Sequence, residues 1–217
     1  MNANERQSFP RFYPVLDSSL LERRGMNVAA AAEAILEGRA RILQLRHKGH
    51  FSRDVFAEAQ RVANMCKHAG VLFVINDRAD MAMLLDCALH VGQDDLPPAP
   101  ARKLIGIERV LGFSTHNEAQ LRAAESQPVD YVAFGPVFET ASKQNPDAVV
   151  GVEELRRVRP LTEKPLIAIG GITRATACDV IDAGADAVAV IGDLIPEECT
   201  TAALRGRTEE WLRILTG

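Results

Sequence analysis

Short apolar segments recur along the whole chain, and patterns typical of helices lie between them. Most of the segments are nearly continuous runs of Val, Ile and Leu rather than alternations of apolar and polar residues. Such runs are typical of strands that are buried on both faces of a parallel sheet. We predict strands at Phe12–Leu16, Ala40–Leu45, Val71–Ile75, Ala88–Val91, Arg109–Phe113, Asp130–Phe134, Leu166–Ile169 and Asp186–Ile191. The pattern therefore indicates an α/β fold.

Helix signals separate these strands. Apolar residues recur at helical spacing in Ser52–Ala69, and the Gly70 that follows is a common helix end. Thr115 and Glu118 have the spacing of a capping box, which predicts another helix start. The other predicted helices are Asn27–Gly38, Ala79–Leu85, Pro98–Gly106, Val152–Arg159, Thr173–Ala183 and Glu197–Leu215. The regular alternation favours a closed (β/α)8 barrel, the TIM barrel.

The pattern also bounds the domain organisation. We expect one barrel domain over residues 12–217, preceded by a loose tail over residues 1–11. A chain of 217 residues lies near the small end of the range for this fold. A doubly wound open sheet is the alternative, but it requires no particular number of strands, and the even series favours closure.

Composition excludes several classes of protein. A formal net charge of −4 argues against a chain that coats nucleic acid. No run approaches the roughly 18 apolar residues of a membrane helix, and the first residues lack the apolar core of a secretory signal. The four cysteines are scattered without a C-x-x-C pair, which favours reduced thiols over a zinc site. We expect a soluble, cytoplasmic protein without membrane or nucleic-acid partners. A homo-oligomer is compatible with the sequence, which does not fix the oligomeric state.

Basic residues follow the second predicted strand. In a (β/α)8 barrel, functional residues lie at the C-terminal ends of the strands. Gln44, Arg46 and Lys48 are spaced two apart, so an extended segment points all three toward the barrel mouth. A guanidinium beside an ammonium group suits a phosphate or a diphosphate. The alternative is that Arg46 and Lys48 are solvated charges at a strand end.

Two carboxylates end neighbouring strands. Asp77 follows the third strand and Asp95 the fourth, so their side chains are expected to converge. Paired carboxylates beside a diphosphate pocket are a common way of holding Mg²⁺, with phosphates and waters completing the octahedron. Asn76 and Asp77 also favour turns, and a plain turn is the competing interpretation.

Glycines mark a second predicted anion site. Gly170 and Gly171 join a strand to a helix start, where backbone N–H groups can face a phosphate, and Gly192 follows the last strand. A long segment from Gly135 to Gly151 has little regular pattern, which is typical of a functional loop or lid. This segment carries three residues suited to anion contacts: Thr140, Ser142 and Lys143.

Six ordered motifs resemble those of the thiamine phosphate synthase family. They are Gln44-Leu-Arg46-His-Lys48, Asn76-Asp77-Arg78, His90–Asp95, Gly112–His116, Asp130–Lys143 and Ala168–Thr173. The resemblance covers about residues 12–195. It implies a Mg²⁺-dependent transferase that joins a hydroxymethylpyrimidine group, taken from its diphosphate, to a thiazole phosphate with release of pyrophosphate. It also implies that no protein nucleophile is needed, because the departing pyrophosphate leaves a pyrimidine-methyl cation.

The resemblance also implies roles for individual residues. The diphosphate contacts would be Gln44, Arg46 and Lys48, with Asn76 beside them. Asp77 and Asp95 would bind Mg²⁺. The pyrimidine diphosphate would further contact Ser114 and Lys143, and the thiazole phosphate would contact Thr140, Ser142, Gly171, Val190 and Ile191. Arg46, Lys48, Lys143 and Ser114 would thus be the catalytic set.

Three other functions stay open at this point. A thiazole tautomerase shares the barrel and would use His116 as acid–base, but typically lacks the basic run and the carboxylate pair. A Schiff-base aldolase would use Lys48 or Lys143 as nucleophile. A barrel that binds a phosphorylated ligand without turnover is the non-enzymatic alternative.

Overall fold

A computed structural model of the protein describes residues 9–140 and 147–216. Eight parallel strands pair in chain order, and the last pairs with the first to close a barrel. The strands are β1 (Phe12–Asp17), β2 (Ile42–Arg46), β3 (Leu72–Asn76), β4 (Ala88–Val91), β5 (Leu111–Thr115), β6 (Tyr131–Phe134), β7 (Leu166–Ile169) and β8 (Ala187–Val190). The predicted (β/α)8 barrel is therefore confirmed, and the open sheet is excluded.

Helices surround the barrel. They are α1 (Ser18–Arg23), α2 (Val28–Glu37), α3 (Arg53–Ala69), α4 (Ala79–Leu84), α5 (Pro98–Ile105), α6 (Glu118–Glu125), α7 (Gly151–Val158), α8 (Ala177–Asp182) and α9 (Thr201–Thr216), with 3₁₀ turns at Arg159–Leu161 and Gly192–Leu194. Helix α3 begins and ends as predicted, with Ser52 at its N-cap and Gly70 in the left-handed region at φ 65°. Helix α1 had no counterpart in the prediction; the Asp17 carboxylate caps it by accepting from the N–H of Leu20 at 2.9 Å.

The predicted capping box was wrong in one respect. Thr115 is the last residue of β5, and its hydroxyl donates to the carbonyl of Ala133. The N-cap of α6 is Asn117, whose side chain accepts from the N–H of Gln120 at 2.9 Å. Thr115 belongs to the strand because its backbone pairs with Phe134 of β6, and its side chain is fully buried.

Alternate residues of each strand face opposite sides, which divides the core into two parts. Residues that face outward pack beneath the helices in one large apolar cluster. Residues that face inward form a separate cluster that includes Tyr13, Ile42, Val74, Tyr131 and Ile167. The inner side chains fill the barrel, and the C-terminal mouth is where this fold binds ligands.

Phe9 differs from the loose tail expected over residues 1–11. Its side chain is buried in the inner cluster, and its ring centroid lies 5.2 Å from that of Tyr131 and 6.2 Å from that of Tyr13. Because Phe9 precedes β1, it packs into the inner cluster from the N-terminal side of the barrel. Residues 1–8 lie outside the described part of the chain, and the tail stays a prediction for them.

Two further sequence expectations concern membrane-spanning helices and the cysteine thiols. Within the described ranges, none of the helices combines the length and apolarity that crossing a membrane requires. All four cysteines are free thiols. Cys66 and Cys87 are buried, and burial raises the pKa of each thiol to about 12, whereas Cys178 is exposed.

Candidate active site

The arginine after β2 is fixed at the barrel mouth by a carboxylate of β1. Asp17 and Arg46 are register partners, and their side chains form an ion pair that is mostly buried. The Asp17 carboxylate also accepts from the hydroxyl of Ser19 at 2.6 Å and from the N–H of Leu20. Burial acts to raise the pKa of Asp17, but these hydrogen bonds and the Arg46 charge outweigh it and lower the pKa. Asp17 therefore stays ionised and orients the Arg46 guanidinium.

Sequence reasoning did not single out Asp17. The signal was present, because Asp17 directly follows the first apolar run and so occupies a strand end like the residues that were chosen. Its N-cap bond to α1 explains why an acidic residue stands there. Asp17 therefore has two roles: its carboxylate caps α1, and it also holds the Arg46 side chain at the site.

The structure brings Lys48, Asp77 and Asp95 together. The Lys48 ammonium forms an ion pair with Asp77, and the Asp95 carboxyl group lies close enough to Asp77 to influence its pKa. Asp95 also accepts from the N–H of Gly92 at 2.8 Å. Burial and the neighbouring Asp95 raise the pKa of Asp77 to about 6, although Lys48 acts in the opposite direction. The proximity of two carboxyl groups favours a shared proton or a cation between them.

These two carboxylates form a pair rather than a complete ligand set. Among the described residues, no group of three or more His, Cys, Asp or Glu side chains is placed to hold a metal ion. Asp77 has a left-handed backbone, with φ 65°, which directs the chain sharply after β3. Its N–H donates to the carbonyl of His90 at 2.7 Å, so the ends of β3 and β4 are held together.

Asn76 lies at the end of β3 with an unused donor. The residue is 7% exposed, and its Nδ2 atom has no hydrogen-bond partner in the structure. An unsatisfied buried donor is rare in folded proteins and often marks a functional position. An anionic ligand at the mouth would satisfy it.

A chain of hydrogen bonds crosses the barrel one layer below Arg46. Gln44 Nε2 donates to Tyr13 Oη at 2.8 Å, and Tyr13 Oη lies 2.8 Å from Tyr131 Oη. The Tyr131 Oη is 3.0 Å from His90 Nδ1, and His90 Nε2 is 2.8 Å from the hydroxyl oxygen of Ser114. Gln44 thus faces inward like Arg46, as its spacing predicted, but it contacts Tyr13 at a deeper level.

His90 is neutral in this environment. Its side chain is buried, and burial lowers the pKa of the ring to about 4, with the nearby Lys48 acting in the same direction and Asp95 in the opposite one. Both ring nitrogens contact hydroxyl groups rather than carboxylates. The layer below the mouth is therefore polar but uncharged.

The other side of the mouth is made of backbone. Gly170 and Gly171 have φ of 100° and 63°. A Cβ on Gly170 would lie 2.4 Å from the Pro136 side chain, and one on Gly171 would lie 2.3 Å from the Glu139 carbonyl oxygen. Both glycines are therefore needed for the close approach of the segment after β6. Because neither glycine has a side chain, nothing of its own residue obstructs its backbone N–H group.

Two further predicted site residues lie at the end of β8, next to β7. Val190 ends β8 and is buried, and the partly buried Ile191 follows it. Thr140 is the last described residue before the gap in the β6–α7 connection, and Ser142 and Lys143 lie outside the described residues.

His116 ties the β5 end to the β6–α7 connection. Its Nδ1 lies 2.6 Å from the carbonyl oxygen of Gly135, and its Nε2 lies 3.5 Å from Asp147 Oδ2. Gly135 precedes Pro136 through a cis peptide bond. These contacts give His116 a supporting position beside the site.

Fold and geometry together define a class: a (β/α)8 barrel with cations, a carboxylate pair and a glycine-lined edge at its C-terminal mouth. A family model described as thiamine monophosphate synthase matches residues 12–194. The chain belongs to this family, whose members are transferases.

Individual relatives agree with this assignment. The thiamine-phosphate synthase of Koribacter versatilis is 44% identical over 209 residues, covering 95% of this chain and 96% of the relative. That of Chloroflexus aurantiacus is 40% identical over 196 residues, covering 90% and 89%. The solved thiamine phosphate pyrophosphorylase from Pyrococcus furiosus superposes with a TM-score of 0.84 at 27% identity and covers 98% of each chain.

Proposed function

We propose that the chain transfers a hydroxymethylpyrimidine group from hydroxymethylpyrimidine diphosphate to the nitrogen of a thiazole phosphate, releasing pyrophosphate, with Mg²⁺ as cofactor. The observation that carries the proposal is the cluster of Arg46, Lys48, Asp77 and Asp95 at one side of the mouth. It supplies fixed positive charge beside two adjacent carboxyl groups, the combination that a magnesium diphosphate requires.

The diphosphate would bind to this cluster. Arg46, held by Asp17, presents a guanidinium with further N–H donors, and Lys48 carries an ammonium whose side chain is 53% exposed. Asn76 offers the unused amide donor. All three groups would contact the leaving pyrophosphate, where negative charge grows as the carbon–oxygen bond breaks.

The carboxyl pair fits a divalent cation. Asp77 and Asp95 are close enough to shift each other's pKa, and oxygen ligands are those that Mg²⁺ prefers. Two carboxylates would leave the other positions of an octahedral shell to phosphate oxygens and water. Bound there, Mg²⁺ would supply charge stabilisation to the leaving group.

No nucleophile from the protein is required for this reaction. The methylene carbon of the pyrimidine loses the pyrophosphate with its bonding electrons, and the lone pair of the thiazole nitrogen forms the new bond. We assign Ser114 and Lys143 to the pyrimidine diphosphate, and Gln44 to the layer below it. Thr140, Ser142, Gly171, Val190 and Ile191 we assign to the thiazole phosphate. Catalysis then consists of positioning and leaving-group electrostatics.

The test is a product assay. Purified protein is incubated with both substrates and Mg²⁺, with and without EDTA, and thiamine phosphate and pyrophosphate are measured. We expect both products, and their loss with EDTA. Arg46→Ala should abolish the reaction, whereas Arg53→Ala, an exposed arginine at the start of α3, should not.

The assay also separates the alternatives. A folded protein that binds the thiazole phosphate but forms no product would favour the thiazole tautomerase or a binding-only barrel. We further propose that the protein is cytoplasmic, that its partners are small molecules rather than nucleic acid, and that it can form a homo-oligomer.

A further inference from the structure

The hydrogen-bond chain from Gln44 to Ser114 has a direction that follows from its chemistry. Three of its members, Tyr13, Tyr131 and the neutral His90, each carry one proton that can be donated within the chain. The orientation of the first bond therefore determines every later one. Gln44 stands at one end of the chain and sets this orientation, because its Nε2 atom can only donate a hydrogen bond.

The direction can be followed atom by atom. Tyr13 Oη accepts from Gln44 Nε2, so its own proton is free to go to Tyr131 Oη at 2.8 Å. Tyr131 then donates its proton to His90 Nδ1 at 3.0 Å. The single ring proton of His90 is consequently on Nε2, which donates to the Ser114 hydroxyl oxygen at 2.8 Å. The Ser114 proton is left for an acceptor outside the chain.

We propose that Gln44, Tyr13, Tyr131 and His90 position Ser114 as a hydrogen-bond donor toward the barrel mouth, and that the amide of Gln44 sets this polarity. The ligand atom beside Ser114 is then an acceptor, such as a nitrogen or oxygen of the pyrimidine diphosphate. This assignment of the ligand rests on the proposed function. The polarity itself does not.

The packing around the chain supports a dedicated arrangement. Tyr13 and Tyr131 are at most 1% exposed, and Gln44 and His90 are below a tenth. A Cβ on Gly112 would lie 2.1 Å from Tyr131 Cζ and 2.5 Å from His90 Nδ1, so β5 leaves room for this contact through a glycine. Buried polar groups of this kind are stabilising only when all their bonds are made.

The experiment reads the tautomer of His90 in the full chain. Histidine-labelled protein contains five histidines, and long-range ¹H–¹⁵N correlation spectra show which nitrogen of each ring is protonated. The His90 signals are those absent from a His90→Gln variant. We expect the Nε2–H tautomer near neutral pH. The Nδ1–H tautomer would overturn the proposal without recourse to any other variant.

Gln44→Glu reverses the first bond. A carboxylate on the same face as Arg46 accepts from Tyr13, which then accepts from Tyr131. In turn Tyr131 accepts from His90 Nδ1–H. We therefore expect His90 to switch to the Nδ1–H tautomer. An unchanged tautomer in a folded Gln44→Glu protein would overturn the assignment of polarity to residue 44.

Two controls distinguish transmission through the chain from a general charge effect. Gln93→Glu introduces the same charge at a residue whose Nε2 donates to the Ser114 carbonyl at 2.5 Å, outside the chain, and it should leave the tautomer unchanged. Adding Tyr131→Phe to Gln44→Glu breaks the relay, and the double variant should match Tyr131→Phe alone. A switch that persists in the double variant would contradict transmission through Tyr131.

The outcome is independent of the product assay. If His90 behaves as expected but no thiamine phosphate forms, the hydrogen-bond chain stands and the proposed function fails. If thiamine phosphate forms but His90 carries its proton on Nδ1, the function stands and the polarity is wrong. With both in place, Tyr131→Phe should raise the KM for the pyrimidine diphosphate by up to about tenfold and leave that for the thiazole phosphate unchanged.

Discussion

At the mouth of the barrel, charged side chains pair with one another, whereas one layer below, neutral side chains form a continuous hydrogen-bonded chain. The upper layer holds Arg46 with Asp17, and Lys48 with Asp77. The lower layer runs from Gln44 to Ser114 through two tyrosines and a neutral histidine. The difference follows pairing, because a buried charge is costly without a partner and each of these rim charges has one, whereas the lower layer holds neutral groups.

The two layers should therefore respond differently to change. Rim residues can exchange one charged partner for another, so a charged ligand is able to replace an internal pair. The lower layer has no spare groups, and altering one member leaves its neighbour unsatisfied. Substitutions at the rim should change catalysis first, and substitutions below should change stability first.

The largest effect is expected for Asp77→Asn at the rim. Removing one carboxylate of the pair should lower the Mg²⁺-dependent rate by ~10²–10³-fold, because the cation loses a ligand, while the fold persists. Pyrophosphate release measures the rate. Asp80→Asn is the matched control, since Asp80 is 53% exposed and pairs with Arg78. Equal losses in both variants would remove the special role of Asp77.

The next effect concerns the neutral state of His90 in the lower layer. Burial lowers its pKa to about 4, compared with 6.5 for the unperturbed ring. Above pH 6.5 the ring is neutral in both states, and as the pH falls from 6.5 to about 4 the unfolded chain takes up the proton first. Stability should therefore decrease over this window, by about 3 kcal/mol from this residue.

Urea unfolding across that window provides the measurement. The wild-type protein should lose this increment relative to His90→Asn, which has no ring to protonate. His68→Asn, at an exposed histidine of α3, should follow the wild type. Parallel curves for wild type and His90→Asn would show that the ring titrates normally and that the lower layer accepts charge.

Gly112→Ala should disturb the lower layer by crowding. The added methyl group would sit 2.1 Å from Tyr131 Cζ, so we expect a loss of about 2–3 kcal/mol in the free energy of unfolding. Gly206→Ala provides the contrast, since Gly206 lies in α9 with open space around it. This second variant should gain about 0.5–1 kcal/mol. Similar values for both would contradict the tight packing around Tyr131.

The smallest effect is expected for Asp17→Asn. Asparagine still caps α1, but Arg46 loses its charged partner and is oriented less firmly. Because the pair is mostly buried and its hydrogen bond is charge-assisted, the KM for the pyrimidine diphosphate should rise by about tenfold, with the KM for the thiazole phosphate unchanged. Steady-state kinetics with each substrate varied in turn provides the measurement. An equal rise for both substrates would indicate a general disturbance rather than the loss of orientation at Arg46.

The barrel and the charged rim could be predicted from sequence for one physical reason. Strands buried on both faces read as apolar runs, and parallel strands deliver the residues that follow them to the same edge. Arg46, Lys48, Asp77 and Asp95 could therefore be placed near one another although they lie far apart in the chain. Their spacing relative to strand ends was sufficient.

The lower layer could not be predicted in this way. Tyr13 and Tyr131 are 118 residues apart, and each reads as an ordinary apolar member of a strand. Their contact depends on the register of a closed barrel, which no local pattern specifies. Phe9 was missed for a related reason, because a single aromatic residue before the first strand gives no periodic signal. Asn117 replaced Thr115 as N-cap because the strand continued further than its apolar run.

The packing of Phe9 and the other inner side chains has a consequence for the order in which ligands bind and leave. Side chains, Phe9 among them, fill the barrel interior. The two substrates and two products of the proposed reaction would therefore all pass through the C-terminal mouth. A pyrimidine beside Ser114 would lie beneath the diphosphate held at Arg46. The ligand that lies deepest would bind first and be released last. The order of binding and release would then follow from the packing of the barrel interior, away from the atoms that react.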